Sequence, residues 1–530
     1  MTTLTTAPNT PAEPARPAGP RHRRPRNGRN RRTRWVGWLR RAAGALPLLT
    51  AVVTVLSVCL PGRTAELASL ALVLAAAVAV ACRWRTRAAL PPRAVVLLGA
   101  PLVGFAVATA ASGDPAASLP GFVRCAQVFV LLPLALVLLL RSHREARLLG
   151  WCAVAVAVAQ GALGAHQYAT GTGATYMGQF VRAVGTFGPQ HVMGMATAVS
   201  YGLVIALCLG LAPAPGRTRG RHAAPSRRPA AGRTWRRALA LVAAVLSCAP
   251  LAVSFSRGAW LATAAAVLVV LVAAAYGGTA RASKARGRLR RRLLLALGAG
   301  ALLLGAGAAV TLQAASGAGL VAERLGSIGD VSGTPDQSVI DRYAMWEAAV
   351  AMWRTEPLTG VGPKAFAEHR DTHASLALSS GSDTGAAGTA FQRQELLSPH
   401  NLYLLVLSEQ GLVGAGTLFG CWAALLAACL ARLRRAAPEE RGVGLAATGL
   451  LVWHAVNFLY ADIGGPTTVL TAVALGLAAW WALSPAARRP PSPPPPPPAA
   501  GRTAPRRPRT LIGPVARLAL PPVPAREAPR

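Results

Sequence analysis

The stretch ALALVAAVLSCAPLAVSFSRGAWLATAAAVLVVLVAAAY, residues 238–276, decides how the chain must be read. Its two apolar runs, 238–255 and 259–276, each approach the roughly 20 residues a helix needs to cross hydrocarbon, and they meet at Phe255-Ser256-Arg257-Gly258. Two such runs joined by so short a turn form a tight helical hairpin in a bilayer. Working outward, comparable runs occur at 42–60, 65–82, 94–112, 119–140, 148–168, 191–212, 293–312, 402–430, 442–460 and 467–484. The expected fold is therefore all-α, a polytopic membrane protein of about twelve helices. A hydrophobic content of 53% and a mean hydropathy of +0.39 agree with it.

The basic residues orient these spans, because cytoplasmic loops carry the positive excess. Eleven Arg lie between Arg16 and Arg41, and Arg83, Arg85, Arg87 and Arg93 follow the second span. Arg141, Arg144 and Arg147 follow the fourth, eight Arg occupy 217–237, and Arg281 to Arg292 follow the eighth. Arg432, Arg434, Arg435 and Arg441 continue the alternation. Both termini are thus expected in the cytoplasm of a multi-pass protein of the cell membrane. Residues 1–41 and 485–530, the latter with Pro493 to Pro498, read as disordered tails around a membrane domain at 42–484. The first apolar run follows forty basic, Pro-rich residues, so no cleavable signal peptide is expected. Because the net charge of +37 resides in these loops and tails, it argues against nucleic acid as a partner. All eight Cys lie in or at the ends of apolar spans without zinc spacing, as small hydrophobes do.

Residues 313–399 break the pattern: these 87 residues hold ten of the nineteen acidic side chains and only six Lys or Arg. They are expected to form an extracytoplasmic loop inserted in the membrane domain. Within it, Ser338–Trp353 is predicted helical, with Ser338 and Asp341 spaced as a capping box and Val339, Tyr343, Trp346, Val350 and Trp353 forming a stripe. That stripe should lie on the membrane surface or on neighbouring spans, with Arg342 one turn before Trp346. The loop closes at Ser398-Pro399-His400-Asn401, where Asn401 is a good N-cap and places His400 at the mouth of the next helix. The apolar run to Leu430 is about 43 Å long as a helix against a core of roughly 30 Å, so its first turns should protrude. Gly416 and Gly420, four apart, suggest close helix packing there.

Several residues admit two readings. Arg257, in an outer turn where basic residues are rare, is either a snorkelling side chain or a fixed cation for an anionic substrate. His400 is either structural or a proton-transfer group. Intramembrane Gln127, Gln160, His454 and Asn457 could mark a transport path, but scattered neutral groups are more typical of interhelical hydrogen bonds. His369 and His373, with Glu368 or Asp371, could bind zinc, yet no His-Glu-x-x-His pattern accompanies them and no metal is expected.

Taken together, Ser256-Arg257-Gly258-Ala259-Trp260, Asp341-Arg342-Tyr343-Ala344-Met345-Trp346 and His400-Asn401-Leu402-Tyr403, running on to Glu409-Gln410-Gly411-Leu412-Val413-Gly414, resemble the O-antigen ligase and polymerase family of membrane glycosyltransferases. Arg182-Ala183-Val184-Gly185-Thr186-Phe187 is a fourth similar piece. The resemblance spans about 180–430. It implies metal-independent transfer of a glycan from a polyprenyl-diphosphate carrier to an acceptor hydroxyl of another glycan or a cell-envelope component, without cofactor, by direct inverting attack. Arg257 and Arg342 would stabilise the departing diphosphate, since a guanidinium fork matches phosphate geometry. His400 would orient or deprotonate the acceptor. Arg182, Asn401, Tyr403 and Glu409 would bind substrate or buttress the site. A transporter of lipid-linked oligosaccharides and a non-catalytic membrane scaffold are the competing readings.

Overall fold

In the computed structural model, the described residues are 46, 48–60, 64–84, 91–176, 179–188, 191, 193–212, 231–276, 337–374, 397–465 and 467–484. Each predicted span except the ninth, at 293–312, coincides with a helix; the ninth lies outside the described residues, as do both tails and most of 313–399. The helices are α1 (Leu48–Cys59), α2 (Thr64–Trp84), α3 (Pro92–Ala110), α4 (Pro115–Leu139), α5 (His143–Thr170), α6 (Gly194–Leu211), α7 (Thr234–Ala252) and α8 (Arg257–Tyr276). They continue with α9 (Gln337–Thr355), α10 (Phe366–His373), α11 (Leu402–Arg435), α12 (Arg441–Asn457) and α13 (Thr467–Leu483). Eight of these are long and apolar enough to cross a membrane, fewer than the twelve expected; α1 and α13 are apolar but shorter. A short antiparallel ribbon, β1 (Ala174–Tyr176) and β2 (Gln179–Arg182), is the one departure from helix among the described residues.

Basic residues gather at one end of the bundle, where polar and aromatic contacts tie helix ends together. There His143 meets Glu440 at 3.3 Å, Trp480 Nε1 donates to the Leu140 carbonyl at 2.9 Å, and the Arg432 guanidinium lies 4.2 Å over the Trp481 ring. Buried polar groups join the helices in mid-bundle. Tyr201 donates to His454 Nε2 at 2.5 Å while His454 Nδ1–H donates to the Leu450 carbonyl at 2.7 Å. Gln127, at the π-helical turn Gln127–Leu131 inside α4, donates to Ser69 Oγ at 2.9 Å. These side chains hydrogen-bond between helices.

The other end is built around a break in α11. At Gly411 the backbone turns to φ 59°, ψ −163°, a region open to glycine alone, and the helix divides into two segments. The chain after α9 fills the break. Val361 and Gly362 donate to the carbonyls of Ser408 and Glu409 at 3.0 and 2.9 Å, and Leu412 and Val413 donate back to Pro357 and Leu358 at 2.9 and 3.0 Å. Those bonds satisfy the amides and carbonyls that the interrupted helix would leave bare. The approach is so close that a Cβ on Gly411 would overlap the Leu358 backbone, and one on Gly360 the Glu409–Gln410 backbone. The predicted protruding start of this helix is thus a separate segment, Leu402–Gln410, with its own partners.

Two sequence expectations bear on how the helices pack. Among the described residues, a Cβ on Gly416 or Gly420 would meet nothing within 4 Å, and a close contact on α11 is made by Gly104 of α3, pressed against Thr417. On α9, the side packed onto α11 is not the aromatic stripe but Ala344, Met345, Ala348, Ala349 and Met352, gathered with Phe366, Leu404 and Leu405. Small residues let the helix axes approach, whereas Tyr343 remains 56% exposed. Burying Met345, Met352 and Phe366 contributes about 1.5–3 kcal/mol each, enough to hold α9 over the bundle.

Gly411→Ala is expected to lower the melting temperature in detergent by several degrees, because a left-handed alanine costs about 1–2 kcal/mol before any overlap is counted. Gly416→Ala should leave it unchanged.

Candidate active site

Four short segments converge at the end away from the basic cluster. The first is the turn between α7 and α8. Phe255 sits at φ 49°, uncommon for a side chain of its size, and Ser256 Oγ caps α8 by accepting from Ala259 N at 3.3 Å. Arg257 is consequently the first helical residue, half-buried, at the positive end of a 20-residue helix. The second segment carries His400, which also has a left-handed backbone, at φ 48°, between Pro399 and the cap residue Asn401.

The third is α9, fastened to the second by Trp346 Nε1, which donates to the Pro399 carbonyl at 2.9 Å. Arg342 lies one turn earlier on that helix, half-buried. The fourth is the loop after α12. Phe458 and Ala461 carbonyls both accept from Leu402 N, at 2.9 and 3.0 Å, and Tyr460 lies against Gly258, where a Cβ would come within 3.0 Å of it. The N-termini of α8 and α11 therefore rest on the same few residues.

That loop presents Asp462, a residue missed in the sequence. Its Oδ2 stands 3.7 Å from His400 Nδ1 and accepts a hydrogen bond from the Ser398 hydroxyl. Asp462 is 16% exposed and His400 47%. The signal was present but faint: Asp462 is the only charged residue between α12 and α13. Nothing in its spacing tied it to a histidine sixty-two positions earlier.

Electrostatics connect the segments. Burial pushes the Arg342 guanidinium below the usual arginine range, the neighbouring Arg257 charge pushes the same way, and Asp462 opposes them. Burial likewise holds the His400 imidazole below its ordinary value, with Asp462 raising it and Arg342 lowering it. Arg257, Arg342, His400 and Asp462 thus form one interacting cluster: two adjacent cations, a neutral-leaning imidazole and a carboxylate behind it. With Nδ1 turned to Asp462, Nε2 is the nitrogen left for a substrate. Two like charges close enough for one to lower the pKa of the other raise the local positive potential, to which an anion is attracted.

The remaining sequence candidates separate by role. Arg182 ends β2, and its neighbour Ala183 donates to the Val253 carbonyl at 3.2 Å, bringing this strand to the α7–α8 turn. Asn401 Oδ1 caps α11 by accepting from Leu404 N at 3.1 Å, and the residue is 6% exposed. The Tyr403 hydroxyl donates to the Ala455 carbonyl at 2.7 Å, between spans. Glu409 accepts from Phe366 N at 3.1 Å, holding the start of α10 against α11. These last three side chains have partners within the fold. His369 and His373 lie on α10, ring centroids 6.3 Å apart, and His373 Nδ1–H donates to the His369 carbonyl.

Residues 242–419 match the family model described as O-antigen ligase. The match covers 178 of the 530 residues, and over that segment the chain is similar to O-antigen ligases. The matched segment runs from α7 into α11 and includes Arg257, Arg342 and His400, leaving Arg182 and Asp462 on either side. Among curated proteins nothing matches the chain significantly. The match accompanies eight helices that are long and apolar enough to cross a membrane.

The signs of the two charge effects on His400 are testable. Asp462→Asn removes the group that raises its pKa and should move the acid limb of the pH–rate profile to lower pH. Arg342→Gln removes a group that lowers it and should move the residual limb to higher pH.

Proposed function

We propose that the protein transfers a glycan from a polyprenyl-diphosphate carrier to an acceptor hydroxyl on the outer face of the cytoplasmic membrane. The supporting observation is the pairing of two adjacent guanidiniums with an imidazole backed by a carboxylate. Arg257 and Arg342 grip the diphosphate and stabilise the charge that builds as it leaves; hydrogen bonds to charged groups contribute roughly 1.5–3 kcal/mol each. The N-terminus of α8, aimed at the same place, adds partial positive charge.

His400 Nε2 accepts the proton of the acceptor hydroxyl while its oxygen attacks the anomeric carbon. The bond from that carbon to the phosphate oxygen breaks, the lipid diphosphate departs with the electron pair, and the anomeric configuration inverts. Asp462 orients the ring and offsets the imidazolium charge formed, as a buried carboxylate does behind other histidine bases. No metal or nucleotide is required by this scheme. The site lies at the end away from Arg432, Arg441 and His143, so the charge rule assigns it to the outside, with both termini in the cytoplasm.

A reporter enzyme fused at Gly360 is expected to be active only outside the cell; cytoplasmic activity would reverse the orientation. Purified protein supplied with polyprenyl-diphosphate glycan and acceptor should release lipid diphosphate. His400→Ala should lose about a hundredfold or more of that rate. Arg257→Lys, keeping charge without the fork, should lose about tenfold or more. Full activity in both variants would refute the assignment, and lipid movement across vesicles without product would favour transport. Because His400 must be neutral to accept a proton, activity should persist below neutrality and fall only as pH drops through its depressed pKa. Product length against acceptor identity separates ligase from polymerase.

A further inference from the structure

His191 lies outside the four converging segments, yet its chain position joins two of them. The segment leading to it is held by two glutamines of α5. Gln167 Oε1 accepts from Val184 N and Gly185 N at 3.1 and 2.8 Å, and its amide donates to the Gly185 carbonyl at 3.0 Å. Gln160 accepts from Thr186 N at 2.9 Å and donates to Thr186 Oγ1 at 2.7 Å. Both amides fix one turn, a far stiffer mounting than a surface connection needs. Beyond it, His191 N donates to the Gly188 carbonyl at 3.2 Å.

On one side, Met193 Sδ accepts from the hydroxyl of Ser256, the cap residue beside Arg257, at 3.3 Å. On the other, the His191 ring lies flush against Gly465, three residues beyond Asp462: a Cβ there would approach Nδ1 to 2.6 Å, and the φ of +62° also favours glycine. The His191 ring thus rests on the loop that carries Asp462, two residues along the chain from the contact with Ser256, the neighbour of Arg257. Its ring is solvent-accessible, and among the described residues neither ring nitrogen has a hydrogen-bond partner. Desolvation holds it below the ordinary histidine value, so near neutrality it offers one donor and one acceptor and no charge. Those properties suit a sugar hydroxyl or amide better than a phosphate.

Between a leaving group held by Arg257 and Arg342 and a base at His400 lies the sugar whose anomeric carbon reacts. We infer that His191 binds this sugar, the residue attached directly to the diphosphate, an assignment that rests on the glycan-transfer reading above. It would be a substrate-binding group for the donor, distinct from the proton acceptor.

Donor and acceptor should be titrated separately on the full-length reconstituted protein, as wild type, His191→Ala, His191→Gln and Gly465→Ala. His191→Ala should raise the donor KM about tenfold, as loss of a hydrogen bond does, and leave the acceptor KM within about twofold. His191→Gln, which keeps a donor and an acceptor, should recover most of the loss. Gly465→Ala should reproduce the donor defect by displacing the ring. An unchanged donor KM in His191→Ala, or a shift confined to the acceptor KM, overturns the assignment. If these appear while His400→Ala still abolishes transfer, only the His191 role falls. If wild type forms no product, both fall together.

Discussion

Backbone left without partners in an apolar bundle is intolerable, and the structure is organised by how one such break is satisfied. The interruption of α11 at Gly411 exposes amides and carbonyls that only a closely applied second strand of chain can meet, and Pro357–Gly362 meets them. Everything above follows from this insertion. It anchors the C-terminal end of α9, sets α10 over Glu409, and separates Leu402–Gln410 from the longer segment that follows.

Charge is distributed by a related logic. The end rich in arginine uses its cations on ring faces and helix carbonyls, as Arg432 does on Trp481. At the opposite end the charges of Arg257 and Arg342 act on one another, and Asp462, which acts on Arg342, is engaged by Ser398 and His400. The same residue type thus stabilises helix ends at one face and accumulates unfavourable proximity at the other. Such proximity is tolerable where a multivalent anion completes the arrangement.

Much of this was legible in the chain itself because hydropathy and helix signals are local. The hairpin at 238–276, the cap at Asn401 and the helix over 338–353 depend on neighbours within a few positions, and each appears close to where it was expected. What could not be read depends on distant partners. Asp462 acquires its meaning from His400, and Gln160 from a turn twenty-six residues away. Gly416 and Gly420 have a familiar spacing with no neighbour within 4 Å among the described residues, while Gly104 makes a tight contact with Thr417. For α9, the aromatic stripe drew attention, but small side chains decide how closely helices pack.

Phe255 and His400 both hold left-handed backbone, and both stand beside the cationic cluster. Conformations of this kind are disfavoured by about 1–3 kcal/mol each for residues bearing a Cβ. Glycine at either place would relax the chain, and at position 400 it would delete the imidazole as well. Selection for heat resistance alone would be drawn toward those positions, trading chemical competence for robustness. Durability and function pull in opposite directions at the mouth of this bundle.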